Sequence, residues 1–148
     1  MTPKIKWRQI LLERRKAISK ERRKEAPLIL KEKLQARGRI LSFTSIGSEV
    51  DLSLLNELLA KEKRLFLVPY RIDALFEVPM SEIDCILVPA LGFDRKMYRI
   101  GYGKGYYDRL LATSGDIPTI GVGFQEQMCE ELFPVDPWDV PVKELILA

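Results

Sequence analysis

Residues 85–112 read CILVPALGFDRKMYRIGYGKGYYDRLLA. The apolar run 85–89 has the length and composition of a buried strand, and residues 106–112 open a helix. Between them Gly101, Gly103 and Gly105 alternate with Tyr102 and Lys104, and Arg99 stands just ahead. Strand, glycine-rich basic loop, helix start is an arrangement suited to phosphates. Glycines let backbone N–H groups turn inward and let an anion approach without a Cβ in the way. The helix N-terminus adds unpaired donors and aligned dipoles. The spacing is not that of a Walker A loop, because Tyr106 follows Gly105. Nor is it the dinucleotide pattern G-x-G-x-x-G, because the glycines are evenly spaced by two. The competing reading is a flexible strand-to-helix turn whose tyrosines fill the edge of the core.

Outward from that stretch the chain alternates strand and helix. Residues 39–44 read as a first strand, Asp51 leads a helix with Leu52, Leu55, Leu58 and Leu59 inward, and residues 65–69 form a second buried strand. That spacing predicts a right-handed βαβ unit with a parallel pair. A short edge strand is expected at 75–79, a strand at 118–124, a short helix at 127–132 and a last strand at 142–147. The expectation is an α/β fold: a three-layer α/β/α sandwich with a Rossmann-like, mostly parallel sheet, N-terminal helices and one domain over residues 1–148. In such folds sites lie at the carboxyl ends of strands, where both Glu49 and the glycine loop fall.

Two helices are expected before the first strand. Thr2 and Pro3 suit the N-cap and first position of the first, with Trp7, Ile10, Leu11, Ala17 and Ile18 on one buried face. Lys4, Arg8 and Arg15 share a stripe, which spacing alone reads as a solvated side. Ser19 caps the second helix, Pro27 kinks or restarts it, and Gly38 stops it.

Composition narrows the chemistry. Of 148 residues, 47% are hydrophobic and 30% charged, as in ordinary globular domains. There is no histidine, which removes imidazole acid–base catalysis and nucleophile–histidine pairs and leaves carboxylates, Lys, Arg, Tyr and backbone dipoles. Cys85 and Cys129 lack metal-ligand spacing, and Cys85 reads as a buried thiol. No apolar run is long enough to span a bilayer and no leader pattern opens the chain, so a cytoplasmic protein without a membrane partner is expected. The net charge of +3 is uneven: residues 1–39 hold 14 of the 24 Lys/Arg and 4 of the 21 Asp/Glu. Such a basic segment suits anionic ligands or docking on an acidic body. The cations between residues 20 and 39 read mostly as a solvated face. A nucleic-acid-binding module is the alternative, without aromatic interleaving to support it.

The ordered pattern V-P-x-L-x-F-D followed by R-x-G-x-G-x-G-Y-Y-D (residues 88–94 and 99–108) resembles the 5-formyltetrahydrofolate cyclo-ligase family. The resemblance runs through most of the chain. It implies conversion of 5-formyltetrahydrofolate and MgATP to 5,10-methenyltetrahydrofolate, ADP and phosphate, with Mg2+ as cofactor, ATP as co-substrate and a monomeric enzyme. Lys4, Ile5, Lys6, Trp7 and Arg8 look like the family's nucleotide segment K-x-x-[LI]-R. Arg99, Ile100, Gly101, Tyr102, Gly103, Lys104, Gly105, Tyr106 and Tyr107 match its ATP loop. Glu49 resembles its folate-contacting glutamate, with Tyr102, Gly103, Lys104, Gly105 and Tyr106 shared with the formyl-bearing end of the substrate. Asp108 and Asp139 correspond to magnesium-linked aspartates; by position alone they are a helix first-turn carboxylate and a turn residue before Pro141. Lys104, Arg99 and Tyr106 are the expected catalytic residues. Gly121 to Phe124, Gln127 and Asp139 to Pro141 match the C-terminal pattern. Three positions depart from it: Met97 stands where glycine is common, Trp138 where histidine is usual, and the segment between Tyr70 and Leu75 is short. The short segment leaves open a related ATP-using enzyme with another carbonyl substrate.

Overall fold

Along the central strand the side chains split cleanly between two cores. Cys85 and Leu87 face a cluster with Leu30, Leu34, Leu55 and Leu59, whereas Ile86 and Val88 face one with Leu110 and Leu111. Alternation of this kind, with both faces apolar, belongs to a parallel strand covered on two sides. The structure, a computed structural model, describes residues 3–148, without the side chains of Ile72 and Phe76. Thr2, expected as an N-cap, lies outside the described residues.

The elements are α1 (Pro3–Lys16), α2 (Lys20–Leu34), β1 (Ile40–Ser42), α3 (Ser53–Lys61), β2 (Leu65–Leu67), β3 (Cys85–Val88), β4 (Gly92–Phe93), β5 (Arg99–Ile100), α4 (Tyr106–Ala112), β6 (Thr119–Gly123) and β7 (Glu144–Leu147). Five strands form one parallel sheet in the order β2-β1-β3-β6-β7. β4 and β5 pair as a small antiparallel ribbon. Helices α2 and α3 cover one face and α4 the other, the three-layer arrangement that the alternating pattern predicts. The strand order reverses between β1 and β3, so the crevice beyond their carboxyl ends is where this architecture places ligands. Among the described residues no helix is long and apolar enough to cross a membrane.

Three expectations are corrected. Residues 75–79 pair with no strand: Ile72–Glu77 is a 3-10 turn, and Leu75 and Val78 bury themselves against the α4 core without a ladder. Residues 127–132 are not a helix. A 3-10 turn at Gln125–Gln127 is followed by extended chain, with Met128 bridged to Phe93 and the Cys129 N–H donating to Phe93 O at 2.7 Å. Ile10 and Ala17, assigned to the buried face of the first helix, are exposed, while Leu11 and Ile18 are buried. Pro27 sits inside α2 without ending it, and Cys85 is buried, its thiol pushed up to about 11 by burial. At Met97 the backbone has φ +68°, the left-handed conformation that glycine adopts without strain.

The basic segment is solvated at Lys20, Lys24, Lys33 and Arg39, as expected, but three of its arginines are tied to the body. Arg22 pairs with Glu126 at 2.8 Å and Arg37 with Glu144 at 2.5 Å. Arg23 donates to the carbonyls of Arg15, Ile18 (3.2 Å) and Ser48 (3.1 Å), over the Phe124 ring. It therefore closes the C-terminus of α1, where carbonyls lack helical partners. Arg23→Ala should lower stability by about 2 kcal/mol, read as a lower midpoint in urea with an unchanged m-value; an unchanged midpoint would show these bonds to be dispensable.

Candidate functional site

The glycine loop leaves β5 and turns into α4 with Gly103 at φ +98° and Gly105 at φ +71°. Guanidinium groups explain two of the glycines directly. A Cβ on Gly103 would lie 2.9 Å from the Arg8 guanidinium carbon, and one on Gly101 would overlap the Arg99 guanidinium. Arg8 Nε donates to Gly101 O at 3.0 Å. The Arg99 side chain is only 8% exposed. Its Nε donates to Pro89 O at 3.0 Å, and its guanidinium lies over the Tyr107 ring, 3.9 Å from the nearer Asp108 oxygen. Burial lowers the Arg99 pKa, and Asp108 opposes that shift. The loop is thus pressed between two arginines.

In front of it opens a cavity of about 630 Å³, walled by Lys4 and Arg8 of α1, residues 99–109, Ala112, and Asp136, Trp138 and Asp139. Three distant pieces of chain meet here. Lys4 Nζ is 2.7 Å from Asp136 and 2.5 Å from Asp139. Burial opposes the charge on Lys4, yet its bonds to the two aspartates prevail and raise its pKa. The Asp136 N–H also donates to Asp139 Oδ2 at 2.8 Å. Lys104 lines the cavity with its side chain exposed. Trp138 lines it too, 66% exposed.

Of the expected nucleotide residues, Lys4, Arg8 and all of residues 99–107 line this cavity, whereas Ile5, Lys6 and Trp7 do not. Trp7 packs edge-on to Phe133, ring centroids 5.2 Å apart. The Tyr106 hydroxyl donates to Pro69 O at 2.5 Å, tying the loop to the exit of β2. Asp108 and Asp139 are both in the wall. No cluster of three metal-ligating side chains exists among the described residues. A magnesium ion needs no such cluster when water and phosphate supply its other ligands, so two carboxylates facing one cavity fit it, with Asp139 Oδ2 already taken by Lys4 and the Asp136 N–H.

Glu49 sits at the switch point beside β1, 8% exposed, outside the cavity wall. One oxygen accepts from Ile46 N–H at 2.8 Å, and the other accepts from the Tyr102 hydroxyl at 3.5 Å. Burial holds its pKa above the usual carboxylate range despite those bonds and Arg15. The folded state therefore keeps the Glu49 proton where the unfolded chain releases it, and stability falls as pH rises through that window. Glu49→Gln should remove that fall. Melting temperatures of the variant and the natural protein should converge below the usual carboxylate value and part above it; parallel profiles would contradict the assignment.

Two residues escaped the sequence reading: Asp136, which holds Lys4 in the cavity wall, and Arg15, which stands behind the loop. Arg15 is 2% exposed, and its three nitrogens reach Ser48 Oγ at 2.8 Å, Ala90 O at 3.1 Å and the Tyr102 hydroxyl at 2.5 Å. The stripe Lys4-Arg8-Arg15 carried the signal, but periodicity reads a cationic stripe as solvated.

A sequence profile of the 5-formyltetrahydrofolate cyclo-ligase family matches residues 73–148, which include the glycine loop, Asp108 and Asp139. The 5-formyltetrahydrofolate cyclo-ligase of Mycoplasma pneumoniae is 43% identical over 67 residues, 45% of this chain and 40% of that one. The Escherichia coli K12 protein of the same name is 33% identical over 78 residues, 51% of this chain and 42% of that one. These alignments thus span about two fifths of the relatives' length. Solved structures agree over a longer range. A 5,10-methenyltetrahydrofolate synthetase from Mycoplasma pneumoniae superposes with a TM-score of 0.79 at 28% identity, covering 97% of both chains. One from Aquifex aeolicus gives 0.79 at 28%, covering 99% of this chain and 90% of that one. With the glycine loop, Asp108 and Asp139 all inside the matched half, the chain belongs to the 5-formyltetrahydrofolate cyclo-ligase family.

Proposed function

We propose that this protein uses ATP to close 5-formyltetrahydrofolate to 5,10-methenyltetrahydrofolate, releasing ADP and phosphate, as a monomer in the cytoplasm. The observation that carries the reading is the meeting of Lys4, Arg8, Lys104 and the glycine amides with Asp108 and Asp139 around one cavity. Cations and amides there suit a triphosphate, and the carboxylates suit a hard cation between phosphates. Asp108 and Asp139 would hold magnesium, which when bound spreads the phosphoryl charge.

The remaining work belongs to the chain. The glycine loop and Arg8 hold the phosphates, and Lys104 meets the charge that builds on the transferring phosphoryl group. Arg99 shores the loop from beneath. Glu49 and Tyr102 hold the folate ring system, and Tyr106, fixed through Pro69, shapes the formyl-bearing end. The formyl oxygen attacks the terminal phosphorus and ADP departs. N10 then attacks the activated carbon, the C–O bond breaks, and phosphate leaves with the oxygen while N10 gives up its proton. Histidine is not required, because positioning and charge neutralisation supply the rate.

The test is purified protein with 5-formyltetrahydrofolate and MgATP, followed by the absorbance of the methenyl product. Product should form, and excess EDTA should abolish it. Full activity in EDTA would rule out the two-aspartate metal site. No product despite ATP consumption with another carbonyl compound would move the substrate assignment alone. Arg22, Arg23 and Arg37 are committed to the body of the protein, which weakens the nucleic-acid alternative, and steeply salt-dependent RNA binding without folate binding would favour it.

A further inference from the structure

A buried guanidinium is stable only with its donors satisfied, and a shared structural arginine would commonly spend them on backbone carbonyls. Arg15 makes only one of its three bonds that way. Its bonds to Ser48 and Ala90 lie beyond the ends of β1 and β3, the two strands between which the sheet order reverses. The third goes to the hydroxyl of Tyr102, a side chain 46% exposed on the glycine loop. The bond satisfies one nitrogen of the buried guanidinium, and because the phenol itself is half-exposed it also fixes where that phenol points. The same hydroxyl donates to Glu49. A guanidinium spreads its donors over three nitrogens in one fixed plane and so reaches acceptors set well apart, whereas an ammonium gathers its three donors at a single rotatable point.

We propose that Arg15 is a positioning residue: it presets the Tyr102 hydroxyl and, through it, the Glu49 carboxylate, and so joins the strand switch point to the phosphate loop. Its consequence for catalysis rests on the reading of Tyr102 and Glu49 as substrate-side groups. The bond itself does not.

Arg15→Lys keeps the charge and loses the fork. Tyr102→Phe removes the receiving hydroxyl at a half-exposed position, and a urea midpoint on each variant separates the cost of leaving one buried Arg15 nitrogen unpaired from the effect on KM. Each should raise KM for 5-formyltetrahydrofolate by about tenfold and change KM for ATP by less than about twofold. The double variant should be no worse than either single one, since both remove one coupled unit. Independent, multiplying losses, or equal increases in both KM values, would overturn the proposal. A second readout does not depend on turnover. With 3-fluorotyrosine placed at position 102, the 19F resonance should move between the natural protein and Arg15→Lys. An unmoved resonance would overturn the preset geometry. If the natural protein forms no methenyl product, the cyclo-ligase reading fails, and the 19F comparison still decides Arg15.

Discussion

Replacing Lys104 by alanine is expected to lower turnover about 10²- to 10³-fold, the usual effect of removing one group aimed at developing charge. Stability should change by less than about 0.5 kcal/mol, as for surface substitutions generally. The contrast follows from where Lys104 stands. Its side chain is exposed at the cavity wall, and no ion pair among the described residues involves it. By contrast, Lys4 is held by two aspartates and Arg99 is packed beneath the loop. Lys104 is therefore a loop cation free to follow a phosphoryl group as it transfers. Initial rates of methenyl formation and a thermal melt on the same preparation decide the matter. Unchanged turnover with an unchanged melt would remove Lys104 from the phosphate assignment.

The second large effect concerns the sheet. Gly121 faces Leu145 across the β6–β7 pair, and a Cβ there would lie 2.5 Å from Phe93 Cε1 and 2.7 Å from Leu145 Cδ2. Both distances are far inside van der Waals contact, and Phe93 is fully buried. It cannot swing into solvent, so either the ring or the strand must shift. Gly121→Ala should cost about 3 kcal/mol, the upper range for overpacking. That corresponds to a melting temperature lower by roughly 6–12 °C for a domain of this size. Phe93 also belongs to β4, which pairs with β5 at Arg99, so the displaced ring would disturb the base of the glycine loop. Turnover should fall along with stability. A melt within about 2 °C of the natural protein would show that the ring has room the structure does not display.

Where sequence and structure agree, the reason is local. The run 85–89 is apolar at every position, and β3 is buried on both faces. Helix α4 occupies Tyr106–Ala112 as read, because the glycines end where helix-forming residues begin. Where they part, a distant partner decided. Residues 75–79 have the apolar content of an edge strand, but Leu75 and Val78 find burial against the α4 core without pairing, and composition reports burial, not ladders. Residues 128–129 are drawn straight by Phe93, some 35 positions earlier. Arg15 looked solvated because its acceptors, Ala90 and Tyr102, lie 75 and 87 positions away. Glycine at residues 101 and 103 could be read as anion-binding from spacing; that the same positions admit two guanidinium groups could not. Met97 stands where the family commonly has glycine, and the structure supplies the reason that the sequence reading did not draw: the backbone there is left-handed.

The strand order carries a consequence for biosynthesis. β1 lies inside the sheet and its two neighbours, β2 and β3, both follow it in the chain, after which β6 and then β7 are added on the β3 side. Growth from the ribosome therefore extends the sheet outward on one flank, each strand waiting on a crossover before its successor arrives. While residues 124–143 are being made, β6 presents an open row of amides and carbonyls, the kind of edge that recruits other chains. Slowing translation across that interval should favour aggregation of nascent chains, and hastening it should spare them.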